Sequence, residues 1–257
     1  MIEAAGLAGR GVLVTRPAAQ ADGLCDRIAA AGGRPIRLPV LAIAPAPDPT
    51  SLRPLLAEDW DLLVFVSRNA VEQALPLFPD QRLPTASRLV AVGQATAQAL
   101  VAAGRAPDLV PSERYDSEAL LAFPALADLR GQRVLIVRGD GGRALLGETL
   151  AARGAEVVFA EVYRRILPAI SVERVVSDWR QDVAIAIATS DEVLRNLITL
   201  ARPVVGDDLF QTPLVVVAER TRGLALALGF VHVAVAARAD EASLVAACEA
   251  LVAAETA

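Results

Sequence analysis

Seven short stretches of the chain are apolar at nearly every position: residues 11–15, 62–67, 89–92, 134–137, 183–188, 214–217 and 231–236. Runs this short, bounded by polar and turn-forming residues, predict strands covered on both faces. Between them apolar positions recur at helical spacing, over 18–31, 69–77, 95–103, 117–122, 143–153, 191–201, 220–228 and 241–253. Strand and helix alternate, which predicts parallel sheets of the doubly wound α/β type, with ligands beyond the carboxyl ends of the strands. Two segments, 37–43 and 159–165, break the alternation. Each reads as extended and is followed by a proline, Pro45 or Pro168. They are expected to be paired linker strands joining two domains, with Pro45, Pro47, Pro49 and Pro54 marking a loop into the second.

The pattern occurs twice in the same order. Val12-Leu13-Val14-Thr15-Arg16 matches Val134-Leu135-Ile136-Val137-Arg138 at an offset of 122, and Gly32 falls on Gly154 at the same offset. Ser67 falls on Ser190 at an offset of 123, and Gly93-Gln94-Ala95-Thr96 with Gly104 falls on Ala218-Glu219-Arg220-Thr221 with Gly229 at 125. The linker segments are themselves related at 122. One long duplication predicts paired domains with a ligand cleft between them rather than a solenoid.

Composition narrows the chemistry. The 257 residues are 54 % hydrophobic and 4 % aromatic, so each core must be built from Ala, Val, Leu and Ile. No apolar stretch reaches the roughly 20 residues of a membrane span, and Met1 to Arg16 lacks the apolar core of a signal peptide, so a cytoplasmic location is expected. Cys25 and Cys248 show no metal-ligand spacing and read as reduced, buried small hydrophobes. His232, the single histidine, alternates with valines near a turn and reads as structural or surface. Metal-centred and Ser-His-Asp chemistry are thereby excluded. All 25 basic residues are Arg and none is Lys, which removes Schiff-base and lysine-nucleophile chemistry. A net charge of −5 argues against nucleic-acid binding, while the planar Arg fork suits an anionic small molecule.

Several strand ends carry candidate chemistry. Gly139-Asp140-Gly141-Gly142-Arg143-Ala144 satisfies a dinucleotide fingerprint, with Glu161 about 20 residues on. Its counterpart, Arg16-Pro17-Ala18-Ala19-Gln20, has no glycine, so a duplicated function does not rest on a pyrophosphate turn. Ser67, Asn69, Thr189 and Ser190 read either as helix N-caps or as parts of a carboxylate site at a helix N-terminus. Ser117-Glu118, after the polar turn from Pro111 to Asp116, reads as another helix start. Tyr163, one of two tyrosines, lies in the second linker segment and reads either as a packing residue or as a proton donor needing no cofactor.

Taken together, these landmarks resemble the uroporphyrinogen-III synthase family. The resemblance rests on Val12 to Pro17, Leu38-Pro39, Phe65 to Val71, Val90 to Ala97, Ser117 to Leu121, Val134 to Gly139, Gly154-Ala155 and Tyr163-Arg164. It implies two flavodoxin-like domains, each a doubly wound parallel sheet, joined by a two-stranded β linker. Residues 1–37 with 167–257 form one domain, 44–160 the other, and 38–43 with 161–166 the linker. It further implies a lyase without cofactor or metal. This closes hydroxymethylbilane with inversion of ring D, through loss of the hydroxyl, an azafulvene cation and a spiro intermediate. Tyr163 is the expected catalytic residue, assisting hydroxyl departure. Arg16, Ser67, Gly93, Gln94, Thr96, Ser117, Arg138, Thr189 and Ser190 are the expected substrate-binding residues. Arg138 alternatively pairs with Asp140 or Glu161 and serves structure only. The implied partners are the small-molecule substrate and, transiently, hydroxymethylbilane synthase, without nucleic acid or membrane. A monomer whose domains close on substrate is expected.

Two other classes fit the same features. A non-enzymatic two-domain protein that closes on an anionic metabolite shares the architecture. A nucleotide-dependent oxidoreductase would use the Gly139 loop.

Overall fold

The computed structural model describes residues 6–111, 117–141 and 144–256. Among them are ten strands: β1 (Gly11–Val14), β2 (Arg34–Arg37), β3 (Ala42–Pro45), β4 (Leu62–Phe65), β5 (Arg88–Ala91), β6 (Arg133–Gly139), β7 (Glu156–Ile166), β8 (Ile185–Ala188), β9 (Leu214–Val216) and β10 (Val233–Val235). The chain divides into two compact units, one built from the described residues up to Ala42 and from Ile166 onward, the other from Ile43 to Arg165.

The first unit contains a sheet of order β10-β9-β8-β1-β2, with every neighbouring pair parallel. Its strands alternate between two cores, as the pleat requires. Leu13, Ala186, Ala188, Leu214 and Val216 pack against helices Asp191–Val205 and Glu219–Leu228. Val12, Val14, Ile185, Ile187 and Val215 pack on the other face against helices Asp22–Ala30 and Glu241–Thr256. Both faces being covered is why these strands read as unbroken apolar runs.

The second unit repeats the plan, in the order β3-β7-β6-β4-β5. Leu63, Phe65, Leu89, Ala91, Leu135 and Val137 face helices Arg68–Ala74 and Gln94–Ala102. Leu62, Val64, Val90, Val134 and Ile136 face helix Leu145–Ala152 and the leucines Leu120, Leu126 and Leu129.

The duplication holds down to register, but the two copies exchange halves. Leu62 of β4 pairs with Val134 of β6, and the positions related to them by offset, Ile185 and Val12, pair likewise. The isolated bridge Val90–Leu109 matches the pair Val215–Ala234 at an offset of 125. Thus β1 and β2 of the first copy share a sheet with β8, β9 and β10 of the second, while β6 and β7 of the second copy join β4 and β5 of the first. Gly32 and Gly154 end matched helices with φ of +77° and +93°, a backbone only glycine adopts without strain.

One strand had no assignment from the sequence, and two expectations need correction. The segment 34–37 is a strand, hidden in the sequence because β2 is an edge strand with Ile36 alone buried and Pro35 tolerated there. The segment 37–43 is not one linker strand: β2 ends at Arg37 and β3 begins at Ala42. Nor does β7 begin at the linker; it runs unbroken from Glu156 and pairs with β6 from its first residue. The proline-rich stretch after β3 also carries a short 3-10 helix, Pro49–Leu52, and a helical turn, Arg53–Leu56, with proline accepted at the start of each.

His232 is exposed, its carbonyl accepting from Leu214 N at 2.8 Å. Cys25 and Cys248 are free thiols buried in the same core. Burial pushes the Cys248 thiol up to about 12 and raises that of Cys25 as well. Because the unfolded thiol ionises first, this contribution to stability is present below the ordinary thiol range and is lost as pH rises from about 9 toward 12. Titration with a thiolate-selective reagent at pH 8 is expected to label neither cysteine in the native protein and both after denaturation. Rapid native labelling of Cys248 would contradict the packing.

Candidate active site

The carboxyl edge of the second sheet brings the most chemistry together. Strands β5, β4 and β6 lie side by side, and each leads into a loop that starts a helix or turn. Gly93 follows β5 and begins helix Gln94–Ala102, with no side chain capping it. Ser67 follows β4 as the N-cap of helix Arg68–Ala74, its Oγ accepting from Ala70 N at 3.0 Å. Gly139 ends β6, and Tyr163 of β7 lies beside it.

Tyr163 is 6 % exposed and belongs to the core facing helices Arg68–Ala74 and Gln94–Ala102. Its hydroxyl lies 3.1 Å from Ser67 Oγ. Ser67 Oγ accepts the Ala70 N–H and still holds a proton and a second lone pair, so either hydroxyl can be the donor in its contact with Tyr163. Ser67 is thus a helix N-cap, and Tyr163 is a packed core residue whose hydroxyl meets it.

The remaining nominated residues of this unit surround that pair less closely. Thr96 is buried in the first turn of its helix, next to Gln94, which opens it. Arg138 lies 2.8 Å through Nη2 from Glu161 Oε1 and stacks over the Phe159 ring at 4.0 Å. The predicted pairing of Arg138 with Glu161 is thus present. Ser117 opens helix Ser117–Leu121, but its side chain lies outside the described residues, as do Gly142 and Arg143 of the glycine-rich loop and most of the turn before Ser117. A groove of about 410 Å³ runs along the flanks of helices Arg68–Ala74 and Gln94–Ala102, with Arg68 and Glu72 ion-paired at 2.6 Å on its wall. Neither Ser67, Gly93 nor Tyr163 lines it.

Arg16, Thr189 and Ser190 belong to the other unit. Ser190 repeats the role of Ser67, capping helix Asp191–Val205 by accepting from Val193 N at 3.2 Å. Asp191 accepts from Thr221 Oγ1 at 2.7 Å and meets Arg220 at 3.3 Å, which ties the starts of two helices together. Arg16 follows β1 and reaches Glu241 Oε1 at 3.4 Å; Arg27 reaches the other oxygen of that carboxylate at 3.5 Å. Glu241 also crowds Gly23 near the start of helix Asp22–Ala30, where a carboxylate is favoured. The Arg16 guanidinium thus already has a protein carboxylate as partner. Beside it the Ser243 backbone N–H, then the Ser243 hydroxyl and Arg238, hold the Asp240 carboxyl below the usual range.

Sequence reasoning missed Gly139. It stood there only within a dinucleotide fingerprint and at the end of one stretch of the family resemblance, with no role of its own, yet a Cβ there would lie 2.5 Å from the Tyr163 ring. The glycine makes room for a phenol rather than a pyrophosphate. Among the described residues no group of acidic, histidine and cysteine side chains is arranged to hold a metal, and no helix is long and apolar enough to cross a membrane.

Comparison with known proteins gives the family. The family model described as "Uroporphyrinogen-III synthase HemD" matches residues 22–246. The uroporphyrinogen-III synthase of Escherichia coli is 35 % identical over 239 residues, covering 91 % of this chain and 97 % of its own. That of Salmonella typhimurium is 36 % identical over the same shares. In fold, the chain is similar to a mutant uroporphyrinogen III synthase of Thermus thermophilus, at 21 % identity and a TM-score of 0.60, covering 95 % of this chain and 99 % of that one. None of these comparisons supports a non-enzymatic binder. With the phenol–serine pair at a sheet edge and a match running through most of its length, the chain belongs to the uroporphyrinogen-III synthase family.

Proposed function

We propose that this chain closes hydroxymethylbilane to uroporphyrinogen III, with inversion of ring D and release of one water, and that Tyr163 is its proton donor. The observation that supports the assignment of Tyr163 is its hydroxyl, which on a side chain only 6 % exposed meets Ser67 Oγ at 3.1 Å, a second hydroxyl able to donate to it when it gives up its proton. The substrate supplies most of the reactivity. When the C–O bond of its hydroxymethyl group breaks, the electron pair leaves with oxygen, the phenol proton converts it to water, and a pyrrole nitrogen stabilises the resulting azafulvene cation. Attack by the substituted carbon of ring D gives the spiro intermediate, which fragments and recloses. The proton lost as the new pyrrole regains aromaticity returns to the phenolate, so the cycle is balanced and needs no cofactor.

The protein's remaining task is to hold a flexible polycarboxylate in a folded shape, an entropic as much as an electrostatic demand. We assign it to backbone N–H groups at the helix starts after Gly93, Ser67 and Ser190, to the side chains of Gln94, Thr96, Ser117 and Thr189, and to Arg16 and Arg138. The two arginines are ion-paired within the protein, so binding there is an exchange in which a substrate carboxylate replaces that of Glu241 or Glu161. Transient handover from hydroxymethylbilane synthase in the cytoplasm belongs to the same reading, because a free linear bilane closes spontaneously to the unrearranged isomer.

The decisive measurement supplies freshly generated hydroxymethylbilane, oxidises the products and separates porphyrin isomers I and III. Isomer III is expected to predominate; isomer I alone, as in a blank without protein, would overturn the assignment. Tyr163→Phe is expected to lower kcat by about 100-fold or more, the usual contribution of a general acid. Turnover equal to wild type would remove Tyr163 from the chemistry and leave the family membership standing. Arg16→Ala is expected to lower kcat/KM about tenfold, chiefly through KM, as loss of one charge-assisted hydrogen bond does. An unchanged KM would mean that Arg16 serves only Glu241.

A further inference from the structure

We propose that Gly139 is a positioning residue for the reaction: having no side chain, it seats the Tyr163 ring and thereby fixes where the phenol hydroxyl lies. This rests on the reading of Tyr163 as proton donor, and three independent features of the second unit lead to it.

Strand β7 pairs with β6 in steady register from Arg133–Glu156 to Arg138–Glu161, and then slips, so that Gly139 pairs with Tyr163 and Val162 is left over. This is a β-bulge, a device that re-aims a side chain. In an unbroken strand Ala160 and Val162 would face one way, with Glu161 and Tyr163 facing the other. The bulge instead puts Val162 and Tyr163, neighbours in sequence, into the same core as Ala160. That turn toward the core gives the phenol access to Ser67.

The ring then lies directly over Gly139. A Cβ at this position would be 2.5 Å from both Cε2 and Cζ of Tyr163 and 3.0 Å from Cδ2. Cζ carries the hydroxyl, so any side chain at 139 displaces the reactive end of the ring. The backbone gives no separate reason for glycine, since Gly139 is not among the residues with positive φ. The adjoining loop is stitched to the same place: Asp140 N donates to the Tyr163 carbonyl at 2.9 Å, and Asp140 Oδ1 accepts from Arg165 N at 3.3 Å.

The fold itself does not require this device. At the offset of 122, Gly139 corresponds to Pro17 and Tyr163 to Leu41. The first unit nevertheless builds its matching sheet with a proline and a leucine at these positions, its β1–β2 ladder ending at Val14–Arg37 before it reaches them. A feature present in one copy of a duplicated fold and absent from the other serves something other than the fold.

A double-mutant cycle tests the proposal. Gly139→Ala is expected to lower kcat by about 10- to 100-fold, the effect of misplacing a reacting group by roughly an ångström, with KM within about twofold and a larger share of isomer I. In a Tyr163→Phe background the same change is expected to leave kcat where Tyr163→Phe alone put it, because no hydroxyl remains to be misplaced. Thermal stability is expected to fall equally in both backgrounds, since phenylalanine keeps the clashing ring atoms. An equal loss of kcat in both backgrounds, or none in either, would overturn the proposal. If Gly139→Ala does not fold, its combination with Tyr163→Leu, which removes the clashing atoms, is expected to fold. Failure of that pair too would place the need for glycine in the backbone and overturn the proposal. Absence of isomer III from the wild-type reaction would refute the functional reading itself, a result separate from any outcome of the cycle.

Discussion

Strand β1 hydrogen-bonds β2 on one side and β8 on the other, and the second pairing joins segments far apart in the chain. Thr15, just beyond β1, donates its hydroxyl to the carbonyl of Ile187, 172 positions away. Without that pairing β1 and β2 would be a two-stranded ribbon with both faces open, and Val12, Leu13 and Val14 would have nothing to pack against. Closing so long a loop adds little to the cost of a shorter closure, because the entropy grows only with the logarithm of length, about 0.6 kcal/mol per doubling. Each fully buried aliphatic side chain contributes about 1.5–3 kcal/mol. The exchange of halves between the two copies is therefore thermodynamically accessible, and it makes each unit depend on both copies.

The same exchange distributes the chemistry. β4 and β5 bring Ser67 and Gly93 from the first copy, while β6 and β7 bring Gly139 and Tyr163 from the second, so the phenol–serine pair exists only because strands of different copies lie side by side. The cationic groups follow a different logic. Arg16, Arg68 and Arg138 each have a protein carboxylate as partner in Glu241, Glu72 and Glu161, which keeps guanidinium groups oriented in an acidic protein. Partly exposed pairs of this kind are individually weak and exchange readily with another carboxylate.

Much of this was legible along the chain. Leu62 to Phe65 and Val134 to Val137 announce strands covered on both faces, because every residue is apolar, and Ser67 and Ser190 announce helix starts through their short hydroxyl side chains. What stayed hidden is where local pattern and tertiary surroundings part. Arg34-Pro35-Ile36-Arg37 carries no strand pattern of its own, since an edge strand needs only Ile36 buried. Gly139 looks like part of a phosphate loop until the ring over it is seen.

By itself, then, the order of residues determined the α/β class, the duplication with its offsets of 122 to 125, and the strand ends where side chains bearing useful chemistry emerge, because burial, helix capping and glycine turns are decided within a few residues. The tertiary structure alone decided the order of strands within each sheet, where β7 slips in register, and that Tyr163 consequently turns to Ser67 over Gly139. Those choices depend on hydrogen-bond partners scores of residues apart, and a slip of one residue reverses the face a side chain occupies without altering the pattern that encodes it.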